Sequence, residues 1–338
     1  MIRVGIVGAG LIAKQHAASV VRHDNATLVA IGALERDAAD QLAAKYEGVR
    51  SAGSLDELLD AGDIDALIVA TPTDTHEMLA CQAMQRGVHV FVEKPMARTL
   101  DSAQRMVDCA RETNRVLAVG HVIRYFPEYQ AMHRTIESGS LGQIAAATFG
   151  RQCQQPDWAA DGWHTSMERS GGVVVDMMIH DVDLVRWYFG EPERVYARAL
   201  GSDRYNGLDY AVATLTMPNG AVCQLTGNWA EPAGFSQYAE ICGSEGMLTY
   251  DSRTTSEMAF ARHSSSDNAT ALPPPPADRR DPFLQQQADW FGQIEGRNTL
   301  INDGEWAMRS LEIALAMLTS SEQGQPVQIA PTNVEVMA

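Results

Sequence analysis

IRVGIVGAGLIA, residues 2–13, sets the fold of the chain that follows it. Its first six residues are strand formers, and Gly8, Ala9, Gly10, Leu11, Ile12 and Ala13 turn that strand into a helix expected to run to about residue 21. The glycines permit a tight bend and close approach of a pyrophosphate, while the small Ala13 lets the helix lie against the sheet. A phosphate there would meet unpaired amides at the positive helix end. A strand before and a helix after are the context that gives a GxGxx[GA] pattern meaning as a dinucleotide site, so Gly8, Gly10, Leu11 and Ile12 are cofactor-binding candidates.

Outward from this turn, residues 28–33 predict the next strand and residues 35–46 a helix. In such folds an acid about 20 positions past the glycines bonds the adenosine ribose of NAD. Here the strand ends in Gly32, Ala33, Leu34, Glu35 and Arg36. Glu35 suits a ribose hydroxyl and Arg36 a 2'-phosphate, leaving NAD against NADP open; both could equally be surface charges in a first helical turn. Residues 66–70 form another apolar strand, closed by Thr71-Pro72-Thr73 at the position of a cofactor contact, with Asp74 expected to cap a helix reaching residue 86. His76, in the first turn, either meets the cofactor or satisfies local groups.

Residues 88–95, VHVFVEKP, are an apolar strand stopped by an acid, a base and a proline. This strand delivers Lys94 to the carboxyl edge of a sheet, where open α/β folds keep their ligands, although a strand-end lysine is commonly a solvated surface cation. A helix over 100–114 and a strand over 116–119 complete a doubly wound first domain, assigned to residues 1–122. Glu93 and His121, at two of the strand ends, are further cofactor-side candidates, His121 equally a hydrogen-bonded residue of the domain junction.

The 338 residues, with 45% hydrophobic and 20% charged composition, fit two domains. A net charge of -17 without a basic block argues against nucleic acid and anionic membrane as partners. No apolar run approaches about 18 residues, and the start shows no export signal. Five scattered cysteines without a CxxC predict buried thiols in a reducing, cytoplasmic setting, and nine histidines without tight ligand spacing predict no metal.

From residue 123 to 338 the pattern changes to a second, α+β domain. A helix over 126–137 precedes a strand over 144–151; residues 173–189 read as one long helix. Strands over 193–200, 210–217, 221–229, 236–242 and 247–250 predict a predominantly antiparallel open sheet, with Pro218-Asn219-Gly220 a clear hairpin turn. Residues 264–281 read as a polar loop, and helices are expected over 283–295 and 303–320. In the segment GGVVVDMMIHDVDLVRWYFG, helical spacing puts Asp176, His180 and Asp183 near one face, with Asp181 pointing elsewhere into solvent. Two acids and an imidazole on an apolar face need partners or a function. Trp158, Trp163 and His164 precede this segment and could wall a sugar; packing is the bland alternative. Arg124, just past the first domain, is a substrate candidate or a junction residue.

GAGLIA, ATPTDTH, EKP, SGGVVVDMMIHDVD and CGSEGMLTYD, in that order, resemble the Gfo/Idh/MocA oxidoreductase family over essentially the whole chain. The fourth is close to that family's GGGxxxDxxxHxxD pattern, with Ser170 for its first glycine. The resemblance implies an N-terminal Rossmann domain and NAD(P)-dependent oxidation or reduction of a sugar, cyclic polyol or related keto compound. It puts Lys94, Asp176 and His180 at the active site: His180 as acid/base, Asp176 orienting it or the substrate, and Lys94 stabilising a developing alkoxide. Those three, with Arg124, Trp163 and His164, are the substrate-binding candidates. Ala33 stands where many relatives carry the acidic ribose ligand. The resemblance also implies a homodimer or homotetramer formed through the second-domain sheet. Two other readings are a noncatalytic NAD(P)-dependent sensor and a sugar–sugar oxidoreductase that retains NADP.

Overall fold

The computed structural model describes residues 1–156, 162–200, 209–254, 258–262 and 281–331. Trp158 and nearly all of the polar loop read over 264–281 lie outside these residues. In chain order the elements are β1 (Ile2–Val7), α1 (Leu11–Val20), β2 (Ala26–Gly32), α2 (Arg36–Ala43), β3 (Arg50–Ala52), α3 (Leu55–Asp60), β4 (Ala66–Val69), α4 (His76–Gln85), β5 (His89–Val92), α5 (Leu100–Thr113) and β6 (Leu117–Val119). They continue with α6 (Pro127–Glu137), β7 (Ile144–Gln152), α7 (Met167–Ser170), α8 (Gly172–Asp176), α9 (Ile179–Phe189), β8 (Arg194–Leu200), β9 (Tyr210–Thr216) and β10 (Val222–Asn228). The last are β11 (Ser236–Gly243), β12 (Gly246–Asp251), β13 (Met258–Arg262), α10 (Pro282–Ile294), α11 (Gly304–Gln323) and β14 (Val327–Gln328).

The chain divides into two compact units, the first made of Met1–Tyr125, Glu168–Ser170 and Arg280–Leu311. Its six strands form an all-parallel sheet in the order β3-β2-β1-β4-β5-β6, the doubly wound arrangement whose direction reverses between β1 and β4. Val4, Ile6, Ile68, Val90 and Phe91 are fully buried, as strands covered on both faces require. Helix α10 belongs to this unit although it follows the second unit's strands in sequence: Trp290 and Phe291 join the core built by β1, β2 and α1. Arg169 pairs with Asp74 at 2.8 Å, so Asp74 serves an ion pair here; the short turn at Thr73–Thr75 has no side-chain cap.

The second unit comprises Phe126–Met167, Gly171–Arg279 and Glu312–Ala338. Eight strands make one sheet in the order β13-β12-β11-β7-β10-β9-β8-β14. All neighbours are antiparallel except β7 and β10, which run parallel. Alternation along β8 and β9 buries Val195, Ala197, Ala211 and Ala213 on one face and leaves Tyr196, Leu200, Tyr210 and Val212 exposed on the other.

Two expectations for residues 173–189 are corrected. The single helix is interrupted at Met177 and Met178, between α8 and α9. Gly227 makes room for the break, since a Cβ there would overlap the Met178 side chain. Asp181 is not solvated: it is 1% exposed, and its carboxylate accepts from Arg151 Nη2 at 2.9 Å and Nε at 3.3 Å. Arg151 also donates to Gln237 Oε1 at 2.8 Å. Burial favours neutral groups and pushes the Asp181 carboxyl up, while the guanidinium draws it back; Arg151 is held firmly protonated by the same partner.

Candidate active site

The carboxyl edge of the first sheet is laced together by backbone bonds that bring five of its strand ends, those of β2, β1, β4, β5 and β6, side by side. Gly8 N donates to Gly32 O at 2.8 Å, Ala70 N to Val7 O at 2.9 Å, Glu93 N to Val69 O at 3.0 Å and Gly120 N to Val92 O at 2.9 Å. The glycine turn, the Thr71-Pro72-Thr73 segment, the Glu93-Lys94-Pro95 corner and His121 therefore share one edge. Gly8 has φ +113°, a conformation closed to most side chains, and a Cβ on it would strike the Ala70 carbonyl. Gly10, by contrast, faces open space, with no atom within 4 Å of an added Cβ.

This edge fits a dinucleotide. Gly10 caps α1 without a side-chain bond, and the first turn of α1 carries no acid, so its amides remain available to an anion. Leu11 is 69% exposed and Ile12 partly buried beside them. At the end of β2, Ala33 is partly buried and Glu35 is exposed at the α2 cap, without a capping bond of its own. Arg36 Nη1 lies 2.9 and 3.0 Å from the two Glu57 oxygens, and its Nε is 4.0 Å from Asp40.

Three sequence candidates on this edge have structural duties instead of a surface open to a nucleotide. His76 is 1% exposed and lies between two carbonyls, Nδ1 3.0 Å from Pro95 O and Nε2 2.9 Å from Thr71 O. Burial holds its pKa below the ordinary histidine value against the pull of both carbonyls, and the ring braces the Thr-Pro loop to the lysine corner. The Glu93 side chain turns inward to His16, 2.7 Å away. Arg124 is 1% exposed, donates to Ile301 O at 3.1 Å and lies 4.5 Å from the Trp306 ring centre, a packed position within the first unit. Thr73 is also buried, whereas Thr71 and Pro72 are partly open and Thr71 Oγ1 is 2.7 Å from Thr75 Oγ1. His121 is 1% exposed.

Lys94 is half-buried at the end of β5, and the Lys94–Pro95 peptide is cis. Burial raises the Glu93 carboxyl, while the hydrogen bond from His16 and the neighbouring Lys94 charge draw it back down.

The second unit gathers the other candidates around α8. Asp176 ends α8 and is 9% exposed; His180, in the first turn of α9, is half-buried, and its N–H donates to Met177 O at 3.3 Å. The turn Trp163–Thr165 packs against α8, and the Trp163 and His164 rings stack with centres 3.8 Å apart. Asp209, which the sequence reading did not single out, accepts from Val173 N at 3.2 Å and lies 2.9 Å from a Cβ added at Gly172, anchoring the start of α8. Its signal was weak, since an acid just before a strand is ordinarily a turn residue. His16 was also passed over, although it falls on the same helical face as Ala13, Ala17 and Val20, all buried.

Residues 2–121 match the oxidoreductase family described as having an NAD-binding Rossmann fold, and residues 129–249 match the Gfo/Idh/MocA C-terminal domain. The chain is 28% identical to 1,5-anhydro-D-fructose reductase of Ensifer adhaerens, over 97% of this chain and 99% of that protein. It is 27% identical to the NAD+ scyllo-inositol 2-dehydrogenase of Bacillus subtilis strain 168, over 97% and 96%. The solved WlbA dehydrogenase of Bordetella pertussis, in complex with NADH and UDP-GlcNAcA, is similar at a TM-score of 0.84 and 26% identity, covering 98% of each chain. With a nucleotide-ready Rossmann edge, a mixed C-terminal sheet and both family domains matched in order, the chain belongs to the Gfo/Idh/MocA family of NAD-binding oxidoreductases.

Proposed function

We propose that this protein is an NAD-dependent dehydrogenase or reductase acting on a secondary alcohol or ketone of a sugar or cyclic polyol. The observation that carries the reading is the placement of Lys94 on the same strand-end row as the Gly8–Gly10 turn. A cation at that edge suits an oxygen that gains negative charge. The relatives' names, an anhydrofructose reductase and an inositol dehydrogenase, support a polyhydroxylated ring as the substrate class.

The glycine turn and the amides of α1 would hold the pyrophosphate, and Glu35 the adenosine ribose. Arg36 is already committed to Glu57 and Asp40, which supports NAD over NADP, because a 2'-phosphate would meet those acids before a spare guanidinium. Bound nicotinamide supplies the hydride acceptor in oxidation and the donor in reduction. Lys94 stabilises the substrate oxygen as its proton leaves. His180 takes that proton as general base, and Asp176 orients the imidazole or an adjacent hydroxyl. Trp163 offers an apolar ring to a sugar face, with His164 stacked behind it. The exposed row Tyr196, Leu200, Tyr210 and Val212 supports pairing of the second-unit sheet with another copy, as a homodimer or homotetramer; a monomer by light scattering would remove that part.

The test is a turnover screen by nicotinamide absorbance, with NAD and NADP separately, against inositols, 1,5-anhydro sugars, aldoses and their keto forms. Turnover of at least one ring polyol, with NAD favoured, is expected. Nucleotide binding with no turnover in either direction across the panel would favour a sensor and defeat the proposal.

A further inference from the structure

Beneath the lysine corner lies a buried polar couple to which the proposed chemistry assigns no part. His16 is 0% exposed on α1 and Glu93 is 8% exposed at the end of β5, with His16 Nε2 2.7 Å from Glu93 Oε1. The other ring nitrogen, Nδ1, lies 3.0 Å from Gln287 Nε2 on α10. That same amide nitrogen is 3.4 Å from the His16 carbonyl oxygen, which can only accept, so Gln287 presents its NH2 side and donates to Nδ1. With Nδ1 accepting, the ring is neutral, carries its proton on Nε2 and donates it to the Glu93 carboxylate. Phe91 and Phe283 lie edge-on to His16, with ring centres at 5.2 and 5.5 Å, and keep the imidazole from rotating.

The second carboxylate oxygen of Glu93 accepts from Lys94 N–H at 3.2 Å. Space for the carboxylate comes from Gly120, where an added Cβ would lie 2.9 Å from each of its oxygens. His16 Nε2–H, Lys94 N–H and the bare Cα of Gly120 thus form a site shaped for one carboxylate. Folding alone does not call for it, because a buried charge spends on desolvation most of what its partners return. One arm of the couple sits three residues past Ala13, on the helix whose first amides face the nucleotide site; the other is the residue before Lys94.

We propose that His16, oriented by Gln287, and Glu93 act as a positioning couple that locks the Lys94 corner to the nucleotide-binding helix. The inference rests on the proposed role of Lys94. His16 and Glu93 are positioning residues; neither needs to touch the substrate.

The test combines kinetics with the spectrum of the nucleotide-free protein. Glu93→Gln keeps the shape and removes the charge, His16→Phe removes the donor, and His16→Gln restores one. Glu93→Gln and His16→Phe are expected to lower kcat by about a hundredfold, the order of loss for a misplacement of a reacting group by about 1 Å, with the NAD dissociation constant and the melting temperature little changed. His16→Gln should recover most of the rate. In protein labelled with 15N-histidine and free of nucleotide, His16 should show protonated Nε2 and unprotonated Nδ1, with the Nε2 proton slow to exchange and shifted upfield in Glu93→Gln. Full kcat in Glu93→Gln, or kcat, NAD affinity and melting temperature falling together, would overturn the proposal, as would a His16 ring protonated on Nδ1. Lys94→Ala, measured alongside, separates the two claims. If Lys94→Ala turns over normally, the reading of the lysine itself fails; if it is inactive while Glu93→Gln is not, only the couple fails.

Discussion

Lys94→Ala is expected to lower kcat by about a hundred- to a thousandfold while leaving the NAD dissociation constant within about threefold. The size follows from what the side chain is proposed to do: a preorganised cation aimed at a developing alkoxide is worth more than its ground-state contacts, so the loss falls on kcat and not on binding. The nucleotide's own determinants, the Gly8 turn, Gly10 and the α1 amides, are separate residues and stay intact. His180→Ala should lose a comparable factor, with partial recovery at high pH as hydroxide replaces the missing base; Asp176→Asn should lose less, since an amide still orients a neighbour. Stopped-flow or steady-state rates with a substrate found in the screen, beside fluorescence titration of nucleotide, supply both numbers. Equal losses in rate and NAD affinity would recast Lys94 as a cofactor ligand.

The second large effect is on stability. Arg151→Ala is expected to destabilise the second unit by about 3–5 kcal/mol, because it strands the Asp181 carboxylate in a site where that residue is 1% exposed. Asp181→Asn should cost less, since the amide oxygen can still accept from Arg151, but the guanidinium loses the charge of its buried acidic partner. Replacing both at once, Arg151→Met with Asp181→Leu, should recover most of the loss, as exchanging a buried ion pair for well-packed apolar groups is often close to neutral. Urea denaturation followed by circular dichroism measures each variant. A single Arg151→Ala protein as stable as the parent would mean that the pair is solvated in solution.

Those two residues also mark where the sequence stopped being legible. Five of the six strands of the first sheet were readable because a strand end such as those of β1, β4 and β5 is a local event: apolar residues close on Gly8, on Thr71-Pro72 or on Glu93-Lys94-Pro95, and each closure needs no knowledge of distant residues. Asp181 was placed in solvent by extending one helical phase from Val173 to Phe189. The break at Met177–Met178 resets that phase, and the partner that makes Asp181 burial tolerable is Arg151, on a strand 30 positions earlier. Strands β3, β13 and β14 went unread because two to five edge residues carry too little period to stand out. Helix α10 was recognised as a helix, but its packing beside α1 is a tertiary fact that no local pattern encodes.

At the candidate site the same division holds. Gly8, Gly10 and Lys94 occupy the edge that their motifs indicated. Glu93 was offered as a cofactor-side residue, His76 as a cofactor contact or a residue satisfying local groups, and Arg124 as a substrate contact or a junction residue; in the fold Glu93 turns to His16, His76 to the Pro95 and Thr71 carbonyls, and Arg124 to the Ile301 carbonyl. A signal for Glu93 was available: an acid closing a continuously buried strand and a histidine on the buried face of α1 are two polar groups that must each find a partner.

The most direct measurement of the central claim is label transfer. Inositols and anhydro sugars deuterated at their carbinol carbons are incubated with the protein and NAD, the reaction is quenched, and nucleotide is extracted from solution and from denatured protein for mass spectrometry and NMR. Direct hydride transfer predicts one deuterium at C4 of the reduced nicotinamide, on a single face, for every molecule of ketone formed. Ketone formed with no label in the nicotinamide, or nucleotide bound without reduction across the whole panel, would contradict the account.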